Sequence, residues 1–150
     1  MSSYLNFYLL PKESKEKYTS EGETEIKLST EPLNLCSYSR SSAIYQAFNS
    51  TLNIAYAGNE YNYTELTKDK MKQVIDYVKS DLKKAEKRLE INYKILKEHY
   101  SEDICSEIHS SEEYVSDLKN VIEQLDYFDN LVNDVSDEYN DFQKILINII

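Results

Sequence analysis

The chain has 150 residues, of which 41% are hydrophobic and 29% charged, and its 27 acidic and 17 basic side chains give a net charge of −10. This length and composition predict one globular domain, residues 1–150, and exclude collagen, a disulfide scaffold and wholesale disorder. The negative charge argues against direct binding of nucleic acid or of an anionic membrane, because both need a basic surface on the protein.

The N-terminal residues and the cysteines indicate the compartment. Residues 1–10 lack a basic stretch followed by a long apolar run, so they predict neither a signal peptide nor a transit peptide. No apolar stretch approaches the ~20 residues that a membrane span needs. Cys36 and Cys105 lack the paired spacing of zinc or redox motifs. We therefore expect a cytoplasmic protein with reduced cysteines, no membrane span and no cofactor.

Two strands are predicted near the N-terminus. Residues 4–10 are aromatic and apolar and end at Pro11, which cannot donate to a central ladder. Residues 12–24 are charged, which is typical of a surface connection. Residues 26–38 alternate partly around Pro32, so they predict a second, interrupted strand.

A short helix and a loop follow these strands. Residues 39–48 change to helical spacing, and Ser39 or Ser41 is available as the N-cap. Residues 53–64 contain Gly58 and show no clean period. We predict a tyrosine-rich loop over this last segment.

Two long helices are predicted over residues 67–139. The first spans residues 67–100, about 50 Å at ~1.5 Å per residue, and its apolar positions step by three and four residues, as in a heptad seam. Residues 101–106 read as a polar turn, after which Ser110 and Glu113 have the spacing of a capping box at the start of the second helix. The seam of the first helix consists of Met71, Ile75, Val78, Leu82, Ala85, Leu89, Asn92 and Leu96.

Charge favours pairing of these two helices with each other. The first is mainly basic, whereas residues 112–138 are acidic apart from Lys119. Opposite charges across a short turn predict an antiparallel hairpin, in which Asn92 helps to fix the register at some cost in stability. A swapped or dimeric coiled coil stays open as the alternative, so a homo-oligomer formed through the hairpin is also possible.

The chain ends in an isoleucine-rich stretch, residues 142–150, which predicts a third strand beside the first. The fold class is therefore α+β, a small antiparallel sheet with a short helix and a long, coiled-coil-like helical hairpin. Residues 1–66 supply the first strands, helix and loop, residues 67–139 the hairpin, and residues 140–150 the last strand.

One candidate ligand site lies between the second strand and the short helix. Hydroxyl groups and a guanidinium at a helix N-terminus can hold a phosphate or a partner's carboxylate. The alternative is that one serine caps the helix and the arginine pairs with a local acid. The residues proposed for this site are Tyr38, Ser39, Arg40, Ser41, Ser42 and Tyr45.

Two further surfaces are candidates for binding a partner. Acidic side chains on the second long helix can attract a basic nucleic-acid-binding protein, or they form a solvated face that maintains solubility. Tyrosines in the predicted loop offer rigid contact area, although an AT-rich coding sequence also explains many tyrosines. The acidic face comprises Glu123, Asp126, Asp134 and Asp137, and the loop tyrosines are Tyr56, Tyr61 and Tyr63.

Catalytic and metal-binding patterns are not recognisable in the chain. His99, Asp103, Glu107 and His109 lie close together in sequence, but their spacing matches no ligand pattern and is typical of a polar turn. The two histidines are distant in sequence from the serine cluster, so a nucleophile activated by histidine is not indicated. We expect no enzymatic activity and no metal site.

Residues 4–12 (YLNFYLLPK), residues 37–42 (SYSRSS) and the acidic helical hairpin together resemble small proteins encoded by phages and prophages of low-GC bacteria. The resemblance implies an accessory protein, and small acidic phage proteins are often inhibitors of host defence, such as anti-CRISPR proteins. We therefore expect a binding protein that docks on a host protein and blocks it. Two alternatives are a protein that sequesters a phosphorylated nucleotide at residues 37–42 and a structural phage component.

Overall fold

The computed structural model describes residues 3–11, 17–18, 25–28, 32–57, 62–136 and 142–150. These residues form an α+β fold, an antiparallel sheet with a short helix and a long helical hairpin. The elements in chain order are β1 (Tyr4–Pro11), β2 (Lys17–Tyr18), β3 (Glu25–Lys27), β4 (Leu33–Ser39), α1 (Ala43–Thr51), β5 (Asn62–Glu65), α2 (Lys68–Glu98), α3 (Glu102–Ser136) and β6 (Phe142–Ile149).

The sheet is built around β1 and β6, which pair antiparallel, so the prediction that the last strand lies beside the first is confirmed. The strand order is β2-β3-β5-β6-β1-β4. Both central strands are mainly apolar on both faces, because both faces are buried, and Asn6 and Asn148 are the buried polar exceptions. On one face the side chains of β1 pack against the helices, and on the other Tyr8, Leu10 and Leu146 form a second core with Ile26 and Tyr63.

The predicted second strand is wrong as a single element. It forms two strands at different places in the sheet, because β3 pairs with β5 whereas β4 pairs with β1. Two more strands lie where none was predicted, β2 in the predicted surface connection and β5 in the predicted loop. These strands are two to four residues long, too short for an alternating pattern to show in the sequence.

Polar side chains cross the second face of the sheet in a hydrogen-bonded row. Ser37 Oγ donates to Asn6 Oδ1, Asn6 Nδ2 donates to Asn148 Oδ1 at 3.2 Å, and Asn148 Nδ2 donates to the carbonyl of Asn62 at 3.1 Å. The row joins β4, β1, β6 and β5. Since buried polar groups are costly without partners, this row favours one strand register over its alternatives.

The hairpin starts at a cap supplied by Thr67, whose Oγ1 accepts the N–H of Lys70. The second helix begins at Glu102, because Ser101 Oγ accepts the N–H of Ile104 at 3.1 Å. The capping box predicted at Ser110 therefore lies inside α3, and the predicted turn over residues 101–106 is wrong. The capping pattern at Ser110 does not start the helix, because eight more residues before it can form helix and pack against α2.

The predicted charge complementarity of the two helices stays a prediction. Two contacts of a carboxylate with a basic side chain in the hairpin, Glu90–Lys94 and Glu113–His109, each lie within one helix. A hydrogen bond from a tyrosine to a carboxylate connects α2 with α3, because the Tyr114 hydroxyl donates to Asp81.

Packing divides the hairpin into two parts. The proximal hairpin, residues 68–81 and 114–136, lies on the sheet and on α1, and its buried side chains join the helix-facing core. In the distal hairpin, residues 82–113, Asn92 and Ile108 are the buried side chains. The proximal members of the core are Met71, Val74, Val78, Leu118, Val121, Leu125, Phe128 and Val132.

Candidate functional site

The serines before α1 use their hydroxyl groups for hydrogen bonds within this segment and to the first turn of the helix. Ser42 is the N-cap, and its Oγ accepts the N–H of Tyr45 at 3.2 Å and donates to the carbonyl of Ser39 at 2.7 Å. The hydroxyls of Ser39 and Ser41 lie 3.1 Å apart and bond each other. A serine of this segment therefore caps the helix as expected, but the cap is Ser42, so the prediction of Ser39 or Ser41 as the N-cap is wrong.

The side chain of Arg40 is exposed, and the backbone of this residue is fixed by an N–H bond to Ser3 and by Gln46 Nε2, which donates to its carbonyl at 2.7 Å. A cavity of about 300 Å³ lies beside the start of α1. Tyr38 and Ser42 line this cavity, but Arg40 does not. The remaining lining residues are Ala43, Ile44, Asp117, Asn120, Val121 and Gln124.

This arrangement does not favour an anion at residues 37–42. Asp117 lines the cavity beside the start of α1, whereas Arg40, the cation predicted to hold the anion, does not line it. Tyr45 is 5% exposed and belongs to the core, so its ring cannot stack on a ligand. Arg40 and Tyr45 are therefore not brought together with Tyr38 and Ser42 at this cavity.

Tyr38 is half-buried between the sheet and α3. Its ring packs edge-to-face on Phe7 and Phe128, with centroids 5.8 and 6.1 Å apart. Burial, with a smaller contribution from the neighbouring Cys36, raises the pKa of Tyr38 to about 12. Burial also raises the pKa of the Cys36 thiol, which makes the reactive thiolate scarce at neutral pH.

The three loop tyrosines do not form one surface. Tyr56 is 64% exposed, whereas Tyr63 is 1% exposed because it lies in β5 with its ring edge-to-face on Tyr8. Tyr61 lies outside the described residues. The prediction of a tyrosine-bearing docking loop is thus wrong for Tyr63.

Exposed tyrosines occur instead on the hairpin, where sequence reasoning missed them. The available signal was their spacing, because none of them occupies a position of the apolar seam. They are 43–77% exposed and comprise Tyr77, Tyr93, Tyr100, Tyr114 and Tyr127.

The acidic face lies on the outward side of α3. Residues of this helix at three- and four-residue spacing face the sheet, and Glu123, Asp126 and Asp134 lie on the other side and are exposed. Asp137 falls outside the described residues. Tyr127, 55% exposed, stands among these acids.

A groove runs along the hairpin between α2 and α3. It begins beside α1 and continues into the distal hairpin. It consists of two adjoining cavities of about 110 and 310 Å³, and Asp81 and Tyr114 line both. The hydrogen bond to Asp81, followed by partial burial, raises the pKa of Tyr114 to about 12. The larger cavity is lined further by Lys84, Ala85, Arg88, Glu107, Ser110 and Ser111.

The part of the chain that the structure describes has neither a cluster of metal ligands nor a helix that could span a membrane. There, no three His, Cys, Asp or Glu side chains come together as ligands for a metal ion. None of the described helices has a stretch long and apolar enough to cross a bilayer.

Comparisons with protein-family models, with curated protein sequences and with solved structures give no match to this chain. The geometry of its surfaces is therefore the basis for a functional proposal.

Proposed function

We propose that this chain is a non-enzymatic binding protein that docks the outward face of α3 on a basic surface of another protein and thereby blocks that surface. One observation carries the proposal. Between residues 112 and 134, α3 has seven acidic side chains and one basic side chain, Lys119, and its outward acids surround an exposed tyrosine. The resemblance to small phage proteins supports a host defence protein as the target, in the cytoplasm of a bacterial host.

The face is rigid because the residue after its tyrosine is an anchor in the core. Phe128 is 1% exposed and stacks on Phe7 with ring centroids 4.1 Å apart. Tyr127 packs edge-to-face on Phe128 at 5.2 Å, so its ring has a fixed base although it is half-exposed. Aromatic side chains held in this way lose little entropy on binding and are common in binding hot spots.

Electrostatics determine which partner this face attracts. A face rich in exposed acids attracts a complementary positive surface, and its charge raises the association rate more than the final affinity. A positive surface that binds nucleic acid is the most strongly complementary kind, so the face would compete with phosphates for it. Binding should weaken as salt rises.

Charge reversal on α3 tests the proposal directly. The variant combines Glu123→Lys, Asp126→Lys and Asp134→Lys, and its matched control reverses three exposed acids on α2, Asp76→Lys, Glu86→Lys and Glu98→Lys. Both variants change the net charge equally, so only the position of the charge differs. Tagged wild type and both variants are used to capture proteins from bacterial lysate, and the captured protein is purified for affinity measurement.

We expect the α3 variant to lose at least about tenfold in affinity for the captured protein, and the α2 variant to lose much less, because direct charge pairs contribute more than net charge. Equal losses of affinity in the two variants would show a non-specific effect of net charge and would overturn the role of α3. An affinity for the captured protein that does not change with salt concentration would overturn it as well.

A further inference from the structure

We propose that the groove of the hairpin binds a nucleoside phosphate, with the phosphate beside Arg88 and Lys84 and the base beside Tyr114 and Tyr77. The site is separate from the outward face of α3, because its residues lie on the side of the hairpin that faces α1. The inference therefore does not depend on the proposed function.

The distal end of the groove has two cationic side chains and two serine hydroxyls. Lys84 and Arg88 are four residues apart on α2, so they project one turn apart on the same helix face. Ser110 and Ser111 face them from α3 across the larger cavity. Among the described residues, Arg88 forms no ion pair, so its guanidinium fork is available to two oxygens of a phosphate.

The proximal end of the groove is aromatic. Tyr77 and Tyr114 line the smaller cavity against Ala43 and Gln46 of α1. The hydroxyl of Tyr114 donates to Asp81, which fixes the ring without closing the cavity. A ring fixed at the edge of an apolar wall suits stacking with a planar base.

The dimensions of the groove suit a mononucleotide. Tyr114 bonds Asp81, and Asp81 and Arg88 are seven positions apart on α2, about 10 Å along the helix axis, which suits a ligand with a base at one end and a phosphate at the other. The larger cavity, about 310 Å³, lies at the low end of the range for small-molecule sites. Asp81 lines both cavities, and its carboxylate can accept hydrogen bonds from ribose hydroxyls.

Two carboxylates limit the affinity for a phosphate in the larger cavity, and one of them is Asp81, which already accepts the hydrogen bond of Tyr114. Glu107 lines the same cavity as Lys84 and Arg88, and its charge opposes that of a phosphate. Removing this charge while keeping the shape, as in Glu107→Gln, should therefore strengthen binding.

The experiment is calorimetric titration of the full chain with the 5′-monophosphates of adenosine, guanosine, cytidine and uridine, and with adenosine and inorganic phosphate as separate probes. The chain provides matched controls, since Arg40 is its second arginine and is exposed outside the groove. Arg88→Ala is compared with Arg40→Ala, and Lys84→Ala with Lys83→Ala. Circular dichroism of each variant reports whether the helices are intact.

We expect at least one monophosphate to bind with a dissociation constant below millimolar, and the corresponding nucleoside and inorganic phosphate each to bind at least about tenfold more weakly. Arg88→Ala should weaken binding about tenfold to a hundredfold, because it removes charge-assisted hydrogen bonds, and Arg40→Ala should leave it unchanged. Glu107→Gln should tighten it severalfold. Tyr114→Phe should retain binding, whereas Tyr114→Ala should weaken it.

Three results would overturn the site. The first is that none of the monophosphates binds at millimolar concentration. The second is equal binding of nucleoside and nucleotide, which removes the phosphate from the interaction. The third is an equal effect of Arg88→Ala and Arg40→Ala in variants that are folded, which moves any binding away from the groove.

Discussion

The proximal and distal parts of the hairpin have the same sequence pattern and different surroundings. Both continue one apolar seam at three- and four-residue spacing. The proximal part places eight side chains in the core with the sheet and α1, whereas in the distal part the buried side chains are Asn92 and Ile108. The seam therefore predicts which residues face the partner helix, and the surrounding elements decide how much area is buried.

This difference also separates stability from binding. Within the hairpin, the proximal part contributes most to global stability, because buried apolar area dominates folding free energy. Local opening costs least where few apolar contacts exist, so we expect the distal hairpin to open below the global free energy of unfolding. The groove proposed for a nucleotide extends from the stable part into the less stable part.

The largest expected effect is in the proximal core. Phe128→Ala removes the ring stacked on Phe7 and should cost about 3–5 kcal/mol of unfolding free energy, the usual range for a fully buried phenylalanine. The neighbouring substitution Tyr127→Ala, at a half-exposed position, should cost much less. Denaturant titration measures both. Similar losses at the two positions would contradict the assignment of Phe128 to the core.

Replacing either of two buried asparagines by leucine should change stability by a smaller amount, with opposite signs at the two positions. Asn92 Nδ2 is buried with no hydrogen-bond partner among the described residues, so Asn92→Leu should stabilise the hairpin by about 1 kcal/mol or more. Asn6 bonds both Ser37 and Asn148, and Asn6→Leu should destabilise the sheet by about 1–3 kcal/mol because both partners lose a bond.

Hydrogen exchange adds the location of each effect. Asn92→Leu should slow amide exchange in residues 82–113 and leave the central strands unchanged, because the distal hairpin opens locally. Destabilisation by Asn92→Leu would show that the asparagine is satisfied in solution, and that the hairpin needs it for register.

The smallest effect concerns the tyrosine that connects the two helices. The pKa of Tyr114 is raised from 10.0 to about 12, first by its hydrogen bond to Asp81. Its contribution to stability is therefore complete below pH 10 and lost as pH rises from about 10 to about 12. Because the side chain is 47% exposed, we expect less than about 1 kcal/mol.

Thermal unfolding of Tyr114→Phe between pH 9 and 12 measures this contribution, and Tyr100→Phe is the control because Tyr100 is 77% exposed. The wild type and the control should lose stability over this interval by the same amount. Tyr114→Phe should start lower and lose less. Identical pH profiles for all three chains would show that the bond to Asp81 is absent in solution.

Long periodic elements were predictable from the sequence, and short ones were not. The two long helices span 31 and 35 residues, so their periodicity repeats over many turns and is visible without any tertiary information. Residues 62–65 have no pattern of their own, and they form β5 only because β3 and β6 lie on either side of them. These short strands form because their pairing partners, which are distant in sequence, lie beside them.

The candidate site residues divide in the same manner. Ser42 caps α1 as a local rule predicts for the serines of this segment. Tyr45 and Tyr63 were expected at binding surfaces but are buried, since an aromatic side chain suits both a core and a surface and the sequence does not distinguish them. Arg88 had no local motif to mark it, and it lines a groove only because α3 returns beside α2.

By itself the sequence determined the α+β class, the positions of the long helices, the pairing of the C-terminal strand with the first and the acidic character of α3, because periodicity, β-propensity and charge are local properties. The tertiary structure decided which tyrosines are exposed, that β3 and β4 are separated in the sheet, and that Lys84, Arg88 and Tyr114 line one groove. These last features depend on contacts between residues far apart in the chain, and such contacts form only when the helices and strands pack together.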